Sequence, residues 1–283
     1  MKAAFIENSR QGRNKWYLSL ILLITCYLFI GLLNLPLNKY VIPFLRQLLG
    51  SANVAEEHLY SLVTGIYFWL LILFIYFVFP KIHQRSFFSL INANDSKFRW
   101  RAFVQGFFVW GILALGVNLL GYKDVIGYKS LQDFTAILAV NIIFFSAQTF
   151  LEELIFRGYL IQIVGRIVQS SILVNFIVSI CFGVLHIAFG LQSLLSSFLF
   201  SLVVNALVLK EEGLERAYGI HFVNNLLLAT FFANISEHIG QNFSTHINWT
   251  ELLIDVGSLC VLLFTSIYLI SNKSISWFRS RAR

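Results

Sequence analysis

Three short runs place ionisable or amide side chains inside otherwise apolar stretches of this 283-residue chain: Phe150-Leu-Glu-Glu-Leu-Ile-Phe-Arg-Gly158, Ser179-Ile-Cys-Phe-Gly-Val-Leu-His-Ile187 and Gly219-Ile-His-Phe-Val-Asn-Asn-Leu226. Ionisable groups in such surroundings are costly, so each calls for a partner or a function. On a helix Glu153 and Arg157 are four residues apart, share a face and neutralise one another. Glu152 points about 100° away and is left free for chemistry. Phe182 and His186 share a helical face, as do His221 and Asn225, whereas Asn224 points elsewhere.

Residue type limits what such a set can do. No serine or cysteine nucleophile is evidently placed beside the histidines, although Ser179 and Cys181 lie nearby. An ionised glutamate and a neutral histidine can orient and deprotonate a water that attacks a carbonyl. A histidine and an asparagine amide can donate to the developing oxyanion in a water-poor site, where such donors count for several kcal/mol. Together these describe peptide-bond hydrolysis by an activated water. A rival arrangement is a zinc ion held by Glu152, His186 and His221 with one open position. The zinc-protease run HExxH is absent, as are GxSxG and GxGD. The structural alternative is a polar cluster that only holds helices together, and a transporter's proton relay is a further use for the same residues. Three such runs on separate apolar segments weigh against a purely structural role.

The elements that position these residues are membrane helices. Hydrophobic residues make up 58% of the chain and charged residues 12%, with a mean hydropathy of +0.74, whereas a soluble domain is about half apolar and about a quarter charged. Runs of about 20 apolar residues give eight expected spans: 16–37, 59–79, 101–120, 134–154, 172–189, 191–209, 220–235 and 252–270. The fold class is all-α: one polytopic integral membrane domain over 1–283, with helices around a buried polar cavity and the protease motif region at about 134–235. The net charge of +7 reads as a topology signal rather than a nucleic-acid footprint. Lys2, Arg10, Arg13 and Lys15, then Lys81, Arg85, Lys97 and Arg99, then Lys273, Arg279, Arg281 and Arg283 collect in alternate loops and at both ends. The positive-inside rule makes all of these cytoplasmic, termini included. Loop 236–251 has no lysine or arginine, and Lys123 and Lys129 are balanced by Asp124 and Asp133; these face outside. The stretch 83–92 reads either as a short interfacial helix or as an ordinary loop. Cys26, Cys181 and Cys260 sit in apolar runs as small hydrophobes. The basic head and long apolar run at the N-terminus form a first span rather than a signal peptide.

Glu152-Glu-Leu-Ile-Phe-Arg157 matches EExxxR, Phe182 to His186 matches FxxxH, and His221 to Asn225 matches HxxxN, in that order. On these motifs the chain resembles the CPBP family of intramembrane proteases, which takes in CAAX prenyl endopeptidases of the Ras-converting type and many bacterial Abi-like proteins. The likeness covers about 150–225 and, loosely, the eight-helix plan. It implies that Glu152 and His186 activate water, that His221 and Asn225 stabilise the oxyanion, and that Glu153, Arg157 and Phe182 support them. No cofactor is required on that reading; a divalent metal, zinc on Glu152, His186 and His221, is the alternative. The implied partners are the bilayer and a peptide or protein substrate at the membrane, such as a prenylated tail or a leader peptide, with no nucleic acid. Because some relatives act through partner proteins, a non-catalytic adaptor or regulator of a partner membrane protein is the competing function. The compact form suits a bacterial inner membrane.

One expectation is geometrically awkward. On straight spans rising about 1.5 Å per residue, His186 lies roughly 20 Å from the basic side and His221 only a few ångströms. The spans must therefore be staggered, or broken near Gly183, Gly190 and Gly219 around a water-filled cavity.

Overall fold

Apolar runs in a bilayer have no solvent for their peptide groups, so each closes its hydrogen bonds within itself as a helix. The computed structural model describes residues 4–49, 56–94, 97–122, 127–128, 130–232 and 245–281. Among them the only strand-like pairing is an isolated bridge between Asn92 and Gly213. The principal helices are α1 (Trp16–Pro36), α2 (Glu56–His83), α3 (Trp100–Val117), α4 (Leu131–Glu153), α5 (Ile161–Ile167), α6 (Ser171–Leu185), α7 (Leu191–Glu211), α8 (Glu215–Leu227) and α9 (Trp249–Arg281). A π-helical segment, Leu154–Leu160, joins α4 to α5 without interruption.

Six stretches of the described residues are long and apolar enough to cross a membrane: Trp16–Leu33, His58–His83, Trp100–Leu120, Leu131–Ile167, Leu191–Glu211 and Trp249–Ser271. Two of the eight expected spans therefore fall short. α6 is apolar but has 15 residues, about 22 Å of helix against a hydrocarbon core of about 30 Å. α8 has 13 residues and carries Glu215, Arg216 and His221. The long helices expose large apolar side chains: Leu32 is 74% exposed, Phe264 73% and Ile112 71%. In an integral membrane protein such positions face lipid.

α8, which carries the third motif, packs chiefly against α3 and α4, while α6 lies on α7 and α4 lies on α2. Two glycines set the α3–α8 distance. A Cβ on Gly106 would collide with the backbone oxygen of Arg216, and one on Gly219 with that of Phe103. Small residues let membrane helices approach backbone to backbone. Gly106→Ala and Gly219→Ala are each expected to destabilise the fold by about 1–3 kcal/mol through overpacking, read as a lower thermal midpoint in detergent. An unchanged midpoint in both variants would show that α3 and α8 can separate freely.

The N-terminal segment, loop 84–99 and the turn after α7 meet at one end of the bundle. Ala4 N donates to Glu212 Oε1 at 2.8 Å, and Asn8 Nδ2 donates to Ser89 O at 3.1 Å and to Asn92 O at 3.0 Å. Arg99 donates through Nε to Glu215 Oε1 at 2.9 Å and through Nη1 to Glu211 O at 2.9 Å. Burial works against its charged form, but the bond to Glu215 and the charges of Glu215, Glu211 and Glu212 outweigh this and raise its pKa. The stretch 83–92 is not an interfacial helix. It forms a single 3-10 turn, Phe87–Leu90, capped by Ser86, with Phe87, Ser89 and Leu90 buried. This is the ordinary loop of the two readings, and Leu90 lies against Gly158, where an added Cβ would meet Leu90 O at 2.7 Å. Lys2, Lys123, Asp124, Lys129, Arg283 and most of loop 236–251 lie outside the described residues, as do the side chains of Lys273, Arg279 and Arg281.

Candidate active site

Glu152 and Glu153 are the last two residues of α4, and the helix then widens into the π turn that carries Arg157. Such π segments often mark functional sites. Across it Arg157 Nη1 still reaches Glu153 Oε1 at 3.1 Å, with both side chains fully buried. The rest of the guanidinium is taken up by α7: Nε donates to Asn205 Oδ1 at 2.9 Å and Nη2 to Ser201 Oγ at 3.1 Å. Its flat face lies 4.2 Å from the centre of the Phe182 ring on α6. Asn205 Nδ2 donates in turn to Ser179 Oγ at 3.0 Å. One arginine thus ties the α4 end, α6 and α7 together with each of its three nitrogens satisfied.

Glu153 Oε1 has a second partner, His221 Nδ1 on α8 at 2.8 Å. A carboxylate only accepts, so Nδ1 carries the proton. The other ring nitrogen, Nε2, faces Glu152 Oε2 at 3.7 Å. Glu152 is held differently from its neighbour. Gln148 Nε2, one turn earlier on α4, donates to Glu152 Oε1 at 2.8 Å. Oε2 of each glutamate has no hydrogen-bond partner among the described residues. The Glu152 side chain is 16% exposed, whereas that of Glu153 is 0% exposed. Asn225 Nδ2 stands 3.5 Å from His221 Nε2 and 3.4 Å from Gln148 Oε1. Asn224 does not point away from the site altogether: its Nδ2 donates to Asn225 Oδ1 at 3.1 Å.

His186 ends α6. Its backbone is no longer helical (φ −93, ψ 3), and the chain reverses through a 3-10 turn to Gly190, whose φ of 101 suits glycine. Its Nδ1 lies 2.8 Å from Phe182 O. A carbonyl only accepts, so the proton is on Nδ1 and the Nε2 lone pair is free. The Phe182 ring stands 4.8 Å from the His186 ring and 5.8 Å from the His221 ring, centre to centre. Glu152, His221 and Asn225 therefore form one polar group, and His186 lies beside the same phenyl ring without a hydrogen bond to either glutamate among the described residues.

The mismatch in depth expected between His186 and His221 is absent, since both rings flank Phe182, at 4.8 and 5.8 Å; Glu152 stands level with His186 by stagger. Glu152 precedes the end of α5 by 15 residues, and His186 follows the start of α6 by 15. The antiparallel helices thus carry both about 22 Å from their shared turn. Of the three glycines named as break points, only Gly190 breaks a helix. Gly183 and Gly219 lie within α6 and α8 and serve close packing; a Cβ on Gly183 would lie 2.9 Å from Leu194 O.

The zinc arrangement does not fit these positions. Among the described residues no three His, Cys, Asp or Glu side chains are grouped to hold a metal ion. His186 has no hydrogen bond to either glutamate among the described residues; the bond from His221 Nδ1 to Glu153 does not itself count against a metal, since it leaves Nε2 available. Gln148, Ser201 and Asn205 join the site without having been singled out in the sequence. Their available signal was spacing: Gln148 is one turn before Glu152, and Ser201 and Asn205 are four apart on a mostly apolar helix.

Residues 132–227 match a family model described as Rce1-like, type II CAAX prenyl endopeptidase Rce1-like. The uncharacterised protein YyaK of Bacillus subtilis strain 168 is 31% identical over 174 residues, covering 56% of this chain and 56% of that protein. The chain thus spans little more than half the length of this curated relative. No solved structure matches. The matched stretch, which is similar to the Rce1-like type II CAAX prenyl endopeptidases, contains Glu152, Glu153, Arg157, Phe182, His186, His221 and Asn225.

Proposed function

We propose that the chain is an intramembrane endopeptidase, seated in a bacterial inner membrane with both termini cytoplasmic, that cuts a membrane-associated peptide such as a prenylated tail or a leader. One observation carries this reading. Of two adjacent carboxylates, Glu153 is sealed at 0% exposure with Oε1 shared between Arg157 and His221, while Glu152, 16% exposed, is oriented through Oε1 and turns an unbonded Oε2 toward His221 Nε2. In the proposed reaction Glu152 Oε2 and His186 Nε2 accept hydrogen bonds from a water, and Glu152 takes its proton as the oxygen attacks the scissile carbonyl. Asn225 Nδ2 donates to the oxyanion. His221 can donate from Nε2 only when it carries both ring protons, because its Nδ1 proton is committed to Glu153. A proton passed from Glu152 supplies that state. As the tetrahedral intermediate collapses, the C–N bond breaks and the departing amine takes the proton.

The membrane proteome of cells expressing the wild-type chain, compared with that of cells expressing Glu152→Gln, tests the function. Expected is a peptide terminus present only with the wild type; identical termini in both would leave the adaptor reading in its place. The proposed chemistry uses no metal, so a zinc chelator is expected to leave the cleavage rate unchanged. Loss of activity that zinc restores would overturn that part.

A further inference from the structure

Five side chains form one hydrogen-bonded series across three helices. Trp110 Nε1 on α3 donates to Asn224 Oδ1 at 3.0 Å, and Asn224 Nδ2 donates to Asn225 Oδ1 at 3.1 Å. Asn225 Nδ2 then donates to Gln148 Oε1 at 3.4 Å, and Gln148 Nε2 to Glu152 Oε1 at 2.8 Å. The two ends decide the direction. An indole only donates and an ionised carboxylate only accepts, whereas each of the three amides between them has one donor end and one acceptor end. Only one assignment satisfies every link: turning any single amide over would set donor against donor and acceptor against acceptor.

We infer that Trp110, Asn224 and Gln148 are positioning residues that orient the amide of Asn225 and the carboxylate of Glu152 as a unit. This rests on the proposed roles of those two residues. Trp110, packed in the core at 7% exposure, is the anchor. Its donor holds Asn224, whose amide holds the Asn225 oxygen, so the Asn225 amino group stays turned toward His221 and the site. At the far end Gln148 occupies Glu152 Oε1 and so leaves Oε2 to meet water. None of the three touches the reacting atoms. Asn224, which helical geometry alone sets apart from Asn225, becomes the link between the anchor and the site. Hydrogen bonds in such a chain polarise one another, so a break at one link is felt at the next.

The full chain in detergent micelles, labelled with ¹⁵N-tryptophan, provides a reading that does not depend on turnover. It holds six tryptophans, and the Trp110 indole resonance is the one lost in Trp110→Phe. Gln148→Met, which removes both the donor and the acceptor two links away, is expected to shift that resonance; an unmoved resonance overturns the series. Kinetics follow on an internally quenched peptide ending in a farnesylated CAAX-type sequence. Trp110→Phe, which keeps an aromatic ring and removes the donor, is expected to lower kcat roughly 10- to 100-fold through misplacement of the reacting groups, with KM close to wild type. Wild-type kcat in a folded Trp110→Phe chain overturns the positioning role, as does a change confined to KM. Asn224→Leu tests the next link should Trp110→Phe fail to fold. Failure of the wild-type chain to cut any peptide would sink the protease reading instead, and the indole resonance would then decide the series alone.

Discussion

Glu152→Gln is expected to lower peptide cleavage by the purified chain by about 10²- to 10⁴-fold, the range that a positioned acid–base group contributes, while the thermal midpoint in detergent barely moves. The substitution keeps the volume of the side chain and an Oε1 that accepts from Gln148. It replaces Oε2, the oxygen without a partner, by an amino group that donates and cannot take a proton from water. That amino group faces the lone pair of His221 Nε2, now 3.7 Å from Glu152 Oε2, so the folded state loses nothing and gains a donor for an acceptor. Turnover of the quenched farnesylated peptide, read beside thermal unfolding of the same preparation, separates chemistry from stability. Turnover within a few-fold of wild type would sink Glu152 as the base.

The candidate residues stood out in the sequence because the membrane makes polar residues conspicuous. Glu152, Arg157, His186 and His221 stand out against apolar neighbours, and four-residue spacing is enough to pair Glu153 with Arg157 and set Glu152 apart. What spacing along one helix cannot reveal is a partner on another. Asn205 lies 48 residues from Arg157 and Trp110 lies 114 from Asn224; an amide on an apolar helix gives no hint of which distant residue it meets. Glu153 reads as Arg157's counter-ion and no more, yet its contact with His221 68 residues away fixes which ring nitrogen faces the site.

The described residues hold six long apolar stretches where eight were expected, for a related reason. A helix that holds Glu215 and Arg216 is too polar to cross lipid alone, but both are buried at 0% and 1% exposure because Arg99 and Glu211 meet them. Burial by other helices, rather than its own hydropathy, admits α8 to the bundle. At 83–92, where an interfacial helix and an ordinary loop were both open, the loop holds. Phe87 and Leu90 are apolar as an interfacial helix requires, but both are buried, and Asn8 of the N-terminal segment bonds to Ser89 O and Asn92 O, a contact that hydropathy does not register. Depth follows from turn position: the short link between α5 and α6 sets Glu152 level with His186, which counting from separately assigned span ends cannot recover.

Arg157→Met is expected to do the opposite of Glu152→Gln and fail on stability before chemistry. Removing one partner of a fully buried ion pair leaves the other charge uncompensated, at a cost of roughly 3–5 kcal/mol. Here the loss reaches further, because Asn205 and Ser201 lose their donor and Phe182 loses the cation on its face. Low yield of folded protein and a depressed thermal midpoint are the expected readings. The double variant Glu153→Gln, Arg157→Met removes the stranded charge and is expected to recover part of the loss. Arg157→Lys is expected to recover less, since a single ammonium cannot reproduce a planar fork that serves three acceptors and stacks on a ring. A double variant no more stable than Arg157→Met alone would show that the cost lies in lost packing rather than in the unpaired carboxylate. The two neighbouring glutamates are thus predicted to separate cleanly: Glu152, 16% exposed, governs turnover in a folded protein, and the sealed Glu153 governs whether there is a folded protein to turn over.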